Sequence, residues 1–419
     1  MRQAKNIFAN IDKISIILYL FLMIFGWINI YASQYNDDTA FAIDLSSRYG
    51  KQLFFILIAC FIAFLTLIID WKFYYSLSYI FYISIILLLI GVLFKGSVAG
   101  GSNSWFELGA FKFQPSEFAK FTTALALAKY YNNIHFKKIS LLDKLKTYAI
   151  ILLPFLLIIL QNDLGTSLVF SAFVLVLYRE GLSGNILIFG LIISILFVIT
   201  LLLKKIVLIS ILGGLFLLLI IFYHKKKEII ALVSIFIIST LFIFSVNHIF
   251  NKVLAPHQKT RINVLLGKEM DPHGAGYNLI QSKIAIGSGG IIGKGFLNGT
   301  QTRFDFVPEQ STDFIFCTIG EEWGFIGGLF FIILFIGLLL RILFLAERQR
   351  SNFSRIYGYS TATILFLHFL INIGMTIGLL PVIGIPLPFI SYGGSSLIGF
   401  TILLFIFLNL DSYRLQILR

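Results

Sequence analysis

A chain of 419 residues that is 58% hydrophobic and 13% charged, with a mean hydropathy of +0.92, carries too few charges to cover a water-exposed surface. That excludes a soluble globular protein, and the lack of ten-residue alternating segments excludes a membrane β-barrel. A formal charge of +13 invites a nucleic-acid partner, but the placement of the cations decides against one.

Apolar runs long enough to cross about 30 Å of hydrocarbon recur along the whole length. Twelve spans are predicted, at 14–32, 52–70, 73–94, 114–132, 145–161, 164–180, 184–203, 206–223, 228–249, 312–340, 356–379 and 393–411. The chain therefore reads as an all-α polytopic integral membrane protein forming a single membrane domain, 1–419. Its first apolar run has no small-residue cleavage site and reads as a retained helix. With the N-terminus in the cytoplasm, the inner segments hold 19 Lys and Arg, and the short outer loops hold six: Arg48, Lys51, Lys95, Lys112, Lys204 and Lys205. This is the positive-inside pattern, so the basic balance reports orientation in a membrane rather than a polyanion partner. Both termini are then cytoplasmic, and the loops 33–51, 95–113, 161–164, 250–311 and 380–392 lie outside. The cytoplasmic connections are short and basic, so chemistry is expected at the outer face. Cys60 and Cys317 fall in apolar segments and read as small core residues, and the six histidines show no metal-ligand spacing.

Ionisable residues inside or beside apolar spans are costly, which makes each a candidate for function. "QPSEFAK" opens the fourth span from outside. Pro115 suits a first helical turn, and Glu117 and Lys120, three apart, share a helix face. A local ion pair near a helix terminus is the plain structural reading. "QNDLGT" puts Asp163 at the start of the sixth span, where an N-cap is the plain reading. "STDFIFCTIGEEWG" carries Asp313, Glu321 and Glu322 into the tenth span, and hydrogen bonding between helices is expected of the two glutamates.

The long polar loop opens differently. Pro272 pushes Asp271 away from helical geometry, so Asp271 is either a turn former or a functional carboxylate held outside any helix. The glycines after it do not make a nucleotide site. A dinucleotide fingerprint from Gly287 needs glycine at Ile292, and a P-loop ending at Lys294 needs glycine at Ser288. They are expected instead to permit tight turns and close backbone approach to a ligand. Glu117, Lys120, Asp163, Asp271 and Asp313 all fall on the outer side, joined by Lys283 and Lys294. A polar cavity of that composition suits an anionic lipid-linked substrate, with cations holding a diphosphate and a carboxylate taking a proton from a sugar hydroxyl. An enzyme and a transporter both fit this much.

The motifs go further. "FKFQPSEFAKF", "DLGTSL", "DPHGAGYNLIQSKIAIGSGGIIGKGFLNGTQ", "VPEQSTDFIF", "GEEWGFIGG" and "GLLPVIGIPLPFISYGGSS", in this order over nearly the whole chain, resemble the SEDS proteins of bacterial cell-wall synthesis. The wording around Lys283 is closer to the elongation branch than to the division branch. The resemblance implies a multi-pass protein of the bacterial cytoplasmic membrane that polymerises lipid II into β-1,4 glycan. Its partners would be a class B penicillin-binding protein, other elongation-complex membrane proteins and the undecaprenyl-diphosphate-linked glycan, with no nucleic acid. It assigns the essential loop acid to Asp271, and the fourth-span Glu and Lys to Glu117 and Lys120. The aspartate of the "DLGT" motif falls on Asp163. Polar residues of the matched motifs complete the candidate substrate-binding set: Gln114, Gln281, Ser282, Lys283, Lys294, Gln301, Asp313, Ser391 and Tyr392. The motifs assign no definite cofactor, and a divalent cation, magnesium or manganese, bridging carboxylates and diphosphate is compatible. Three features depart from the family pattern. Asn162 replaces the usual proline before Asp163, and Gln310 and Ser311 stand where basic or aromatic residues are expected. Twelve spans also replace the usual ten, the surplus lying in 184–250. A lipid II flippase is the competing expectation; transporters place their charges near mid-membrane between repeated halves, and no internal repeat is visible here.

Overall fold

The computed structural model describes residues 10–35, 46–99, 101–109, 111–134, 140–223, 225–254, 256–268, 275–304 and 306–414. Asp271 lies outside these residues. A helix occupies each predicted span. In chain order the first three are α1 (Lys13–Ala32), α2 (Arg48–Ile68) and α3 (Trp71–Lys95), followed by the strands β1 (Ser97–Ala99), β2 (Ser102–Leu108) and β3 (Phe111–Phe113). Next come α4 (Pro115–Asn133), α5 (Leu141–Leu160), α6 (Leu164–Val169), α7 (Ala172–Arg179), α8 (Gly184–Leu202), α9 (Lys205–Phe222) and α10 (Lys226–His248). The polar loop holds α11 (Pro256–Leu265), α12 (Ala275–Ser288) and α13 (Thr300–Arg303), and the chain closes with α14 (Ile315–Glu347), α15 (Asn352–Thr376) and α16 (Gly394–Ser412).

Among the described residues, nine of these helices are long and apolar enough by themselves to cross a membrane. The rest of the set is explained by its sequence. α4 is polar for a span, α5 begins with Asp143, Lys144 and Lys146, and the sixth span is broken into α6 and α7 at Phe170 and Ser171. Side chains cap the starts of α1, α2, α3, α5, α6 and α8, from Asp12, Ser47, Asp70, Ser140, Asp163 and Ser183, satisfying N–H groups that have no partner within the helix.

The all-α expectation misses one feature. Between α3 and α4 the chain forms a three-stranded antiparallel sheet in the order β1-β2-β3. Positive φ at Gly101 and Gly109 suits the tight turns, and the intervening "SNSWFEL" has the aromatic and alternating character of a strand. The backbone N–H of Asn103 donates to the Gln161 carbonyl at 2.9 Å, tying the sheet to the α5–α6 turn.

The chain divides into two compact units, 1–176 with 277–419, and 177–276. In the first unit α4 packs on α3, α5, α15 and α16. Ala119, Ala124, Ala126 and Ala128 let those neighbours approach closely. In the second unit α8 buries only Thr200 and α9 only Leu208, so both present apolar side chains nearly all round, as lipid-facing helices do.

The tenth span is not the continuous helix its hydropathy predicts. α14 is interrupted at Gly324, whose φ of 65° and ψ of −163° are non-helical. The backbone groups freed by the break would be costly in hydrocarbon, and the 290–295 segment satisfies them. Lys294 and Gly295 donate to the carbonyls of Glu321 and Glu322 at 3.0 Å each, while Phe325 and Ile326 donate to those of Gly290 and Ile291 at 2.9 and 3.1 Å. The glycine-rich stretch thus approaches the backbone of α14. A Cβ on Gly289 would lie 2.0 Å from the Gly320 carbonyl oxygen, and one on Gly293 would lie 2.2 Å from that of Glu322.

Candidate functional site

The first unit gathers polar groups at its sheet-bearing end. At the start of α4, Pro115 occupies the first turn and directs Glu117 and Lys120 inward. Their side chains are each only 2% exposed, and Lys120 Nζ donates to Glu117 Oε2 at 2.7 Å. Burial on this scale separates the pair from an ordinary surface i,i+3 contact, because two desolvated charges are retained at a free-energy cost. Lys120 also lies 2.9 Å from His368 Nε2 on α15, and its ammonium sits 4.5 Å from the centre of the Phe400 ring.

Asp163 is the N-cap of α6, as its sequence context suggests: it accepts from the Thr166 N–H at 3.0 Å and from the Thr166 hydroxyl at 2.9 Å. It does more than cap, since Gln114 Nε2, from the residue before α4, donates to it at 3.0 Å. Gln114 and Asp163 thus join the starts of two helices beside the buried pair. Asn162 adopts a φ of 60°, a left-handed conformation open to asparagine and closed to proline, which fits the departure at this position.

The loop between α15 and α16 closes over this end. Ser391 donates its hydroxyl to the Thr312 carbonyl at 2.5 Å and accepts from the Leu387 N–H at 2.8 Å. The Tyr392 N–H donates to the Ser311 carbonyl at 2.8 Å, and Asn372 donates to the backbone carbonyls of Asp313 and Ile385 at 2.8 Å each. Burial pushes the Tyr392 phenol above its usual pKa, with Arg48 opposing the shift. Ser311 accepts from Arg48 at 2.7 Å, so α2 delivers the basic group missing from the 310–311 sequence. Gln310 donates instead to the Ser33 carbonyl at 2.7 Å.

The loop candidates separate into committed and open groups. Ser282 is buried and donates to the Thr376 carbonyl at 2.9 Å. Lys283 lies against Gly378 and has no hydrogen-bond or ion-pair partner among the described residues; Gln281 is half-buried beside them. Lys294, by contrast, is held at 2.6 Å by both Glu321 and Thr300. Glu321 does not bond to another membrane helix as expected. Its carboxylate accepts the N–H groups of Thr300, Gln301 and Thr302 at 2.8, 2.9 and 3.0 Å, capping α13, whose own N-cap, Gly299, has no side chain. Gln301 therefore contributes its backbone to this capping.

His368, Asn372, Arg48 and Gln52 were not among the sequence candidates. Gln52 accepts from the Gly393 N–H at 3.1 Å, bracing the Ser391–Gly393 turn. The sequence did hold a signal for α15: His368, Asn372 and Thr376, four apart, are polar residues on one face of a membrane helix, and all three are fully buried. Among the described residues, no group of three or more His, Cys, Asp and Glu side chains is placed to hold a metal ion.

The cell cycle protein family of FtsW, RodA and SpoVE matches the chain over residues 12–212 and 206–416. The peptidoglycan glycosyltransferase MrdB of Escherichia coli K12 is 37% identical over 318 residues, 76% of this chain and 73% of that protein. The peptidoglycan glycosyltransferase RodA of Treponema pallidum is 30% identical over 416 residues, 93% of this chain and 94% of its own length. Among solved structures, a chain of a peptidoglycan synthase complex, studied for its coordination of polymerization and crosslinking, superposes with a TM-score of 0.71. It is 25% identical, with 97% of this chain and 99% of that chain covered. The rod shape determining protein RodA of Thermus thermophilus shares the fold, with a TM-score of 0.63 at 23% identity over 96% of this chain and 97% of that one.

Proposed function

The chain belongs to the SEDS family of FtsW, RodA and SpoVE and is a peptidoglycan glycosyltransferase, and from that premise we propose that it polymerises lipid II at the outer face of the cytoplasmic membrane with Asp271 as general base. The growing strand, carried on a lipid diphosphate, is the donor and lipid II the acceptor. Asp271 takes the proton from the acceptor 4-hydroxyl, whose oxygen attacks the anomeric carbon of the donor. The bond to the diphosphate breaks, the electron pair leaves with the lipid diphosphate, and inversion gives the β-1,4 link. Lys283, uncommitted among the described residues, is suited to meet the departing charge.

The observation that carries this reading is the buried Glu117–Lys120 pair, set beside Gln114 and Asp163 at the end of the unit closed by Asp313 and Ser391. A class B penicillin-binding protein as cross-linking partner is supported by the likeness to a synthase complex concerned with both reactions. Glycan chain formation from lipid II by purified protein, alone and with such a partner, tests the reading. Asp271→Asn keeps the shape and removes the basic oxygen, so substrate binding is expected to persist while synthesis falls by at least roughly 10²–10⁴-fold. An Asn variant within a few-fold of wild type would remove the base assignment, and a wild-type protein that moves lipid II across vesicles without making glycan would favour the flippase.

A further inference from the structure

Lys120 is held from two sides. Glu117 Oε2 lies 2.7 Å from its nitrogen and His368 Nε2 lies 2.9 Å away, and all three side chains are buried. The other ring nitrogen, His368 Nδ1, is 3.2 Å from the Pro386 carbonyl oxygen. A carbonyl only accepts, which assigns the ring proton to Nδ1; Nε2 is then the acceptor for an ammonium that only donates. The ring stands at 85° to that of Phe400 with 4.7 Å between centroids, and the Phe400 ring centre lies 4.5 Å from Lys120 Nζ, so one aromatic ring packs against both partners. One helical turn further along α15, Asn372 binds the carbonyls of Ile385 and Asp313. His368 and Asn372 thus form one face that fastens the 385–386 backbone above the buried lysine.

We propose that His368 is a positioning residue of the glycosyl-transfer site: its neutral imidazole, oriented by the Pro386 carbonyl, fixes the Lys120 ammonium and couples it to the loop that carries Ser391 and Tyr392. Two of the three donors of the ammonium are directed by Glu117 and His368, and the Phe400 ring packs against the same nitrogen. The inference rests on the reading of Lys120 as part of the reaction machinery, so the test includes a variant that examines that reading separately.

Steady-state polymerisation of lipid II is measured for purified wild type, His368→Leu, His368→Gln and Lys120→Met. Leucine fills the space and offers no acceptor. Glutamine can donate to Pro386 and accept from Lys120 with one amide. A displacement of about 1 Å at a catalytic group costs on the order of 10²-fold, so His368→Leu is expected to lose roughly that factor in kcat with KM little changed, and His368→Gln to recover most of it. A leucine variant within a few-fold of wild type beside an inactive Lys120→Met overturns the proposal alone, as does equal impairment of the leucine and glutamine variants. An active Lys120→Met overturns the underlying reading and the proposal with it. Should the leucine variant fail to assemble, nitrogen-15 NMR of the wild-type histidines decides. A ring with Nδ1–H and a hydrogen-bonded, unprotonated Nε2 supports the proposal, and an Nε2–H or doubly protonated ring overturns it.

Discussion

Two charges buried together behave differently from either charge buried alone. Removing one partner of a desolvated pair costs about 3–5 kcal/mol, while replacing both by neutral side chains of similar volume is often neutral or stabilising. Glu117 and Lys120 are such a pair. Glu117→Ala is therefore expected to lower unfolding free energy in detergent by about 3–5 kcal/mol, and Glu117→Gln combined with Lys120→Met to unfold at or above the wild-type temperature. Thermal unfolding of both variants checks this; equal stability would mean that the pair is solvated in the folded protein. These residues were legible in the sequence because a charge inside an apolar run stands out and a spacing of three fixes a shared helix face. His368 was not legible as their partner. It is 248 positions from Lys120, and a lone histidine in an apolar helix carries no sign of what it faces.

At the scale of elements, the helices were legible because an apolar run of membrane length has few alternatives to a helix. The break in α14 was not. Hydropathy averages over Gly324 and is blind to its φ, and the backbone that satisfies the freed groups comes from 290–295. Nor does the sequence show that Gly289 and Gly293, in the glycine-rich stretch, lie against the backbone of α14. Two glycines test this account. Gly293 has a φ of 88°, and an added Cβ would meet backbone atoms of Glu322 and Gly324 at 2.2–2.7 Å. Gly287 sits near the end of α12 with nothing within 4 Å of an added Cβ. Gly293→Ala is expected to destabilise by at least about 1–3 kcal/mol through backbone strain, with the clash adding to this. Gly287→Ala is expected to be neutral or to gain up to about 1 kcal/mol from helix propensity. Unfolding midpoints of the two variants check the contrast, and a tolerated alanine at 293 would mean that the segment does not pack against α14 as described.

At the scale of the whole molecule, the reading depends on which side of the membrane each polar group occupies. From the distribution of Lys and Arg, Asn298 is expected outside and Ser140 inside, and both residues are exposed. In a background lacking Cys60 and Cys317, Asn298→Cys is expected to react with an impermeant maleimide added to intact cells, and Ser140→Cys only after permeabilisation. The reverse pattern would turn the protein over and move the polar loop to the cytoplasm. The most direct measurement of the central claim, that the buried pair belongs to the reaction machinery and is not merely structural, is lipid II polymerisation by the purified Glu117→Gln, Lys120→Met double variant. With folding preserved, glycan synthesis is expected to be lost; synthesis within a few-fold of wild type by a stably folded double variant would contradict it.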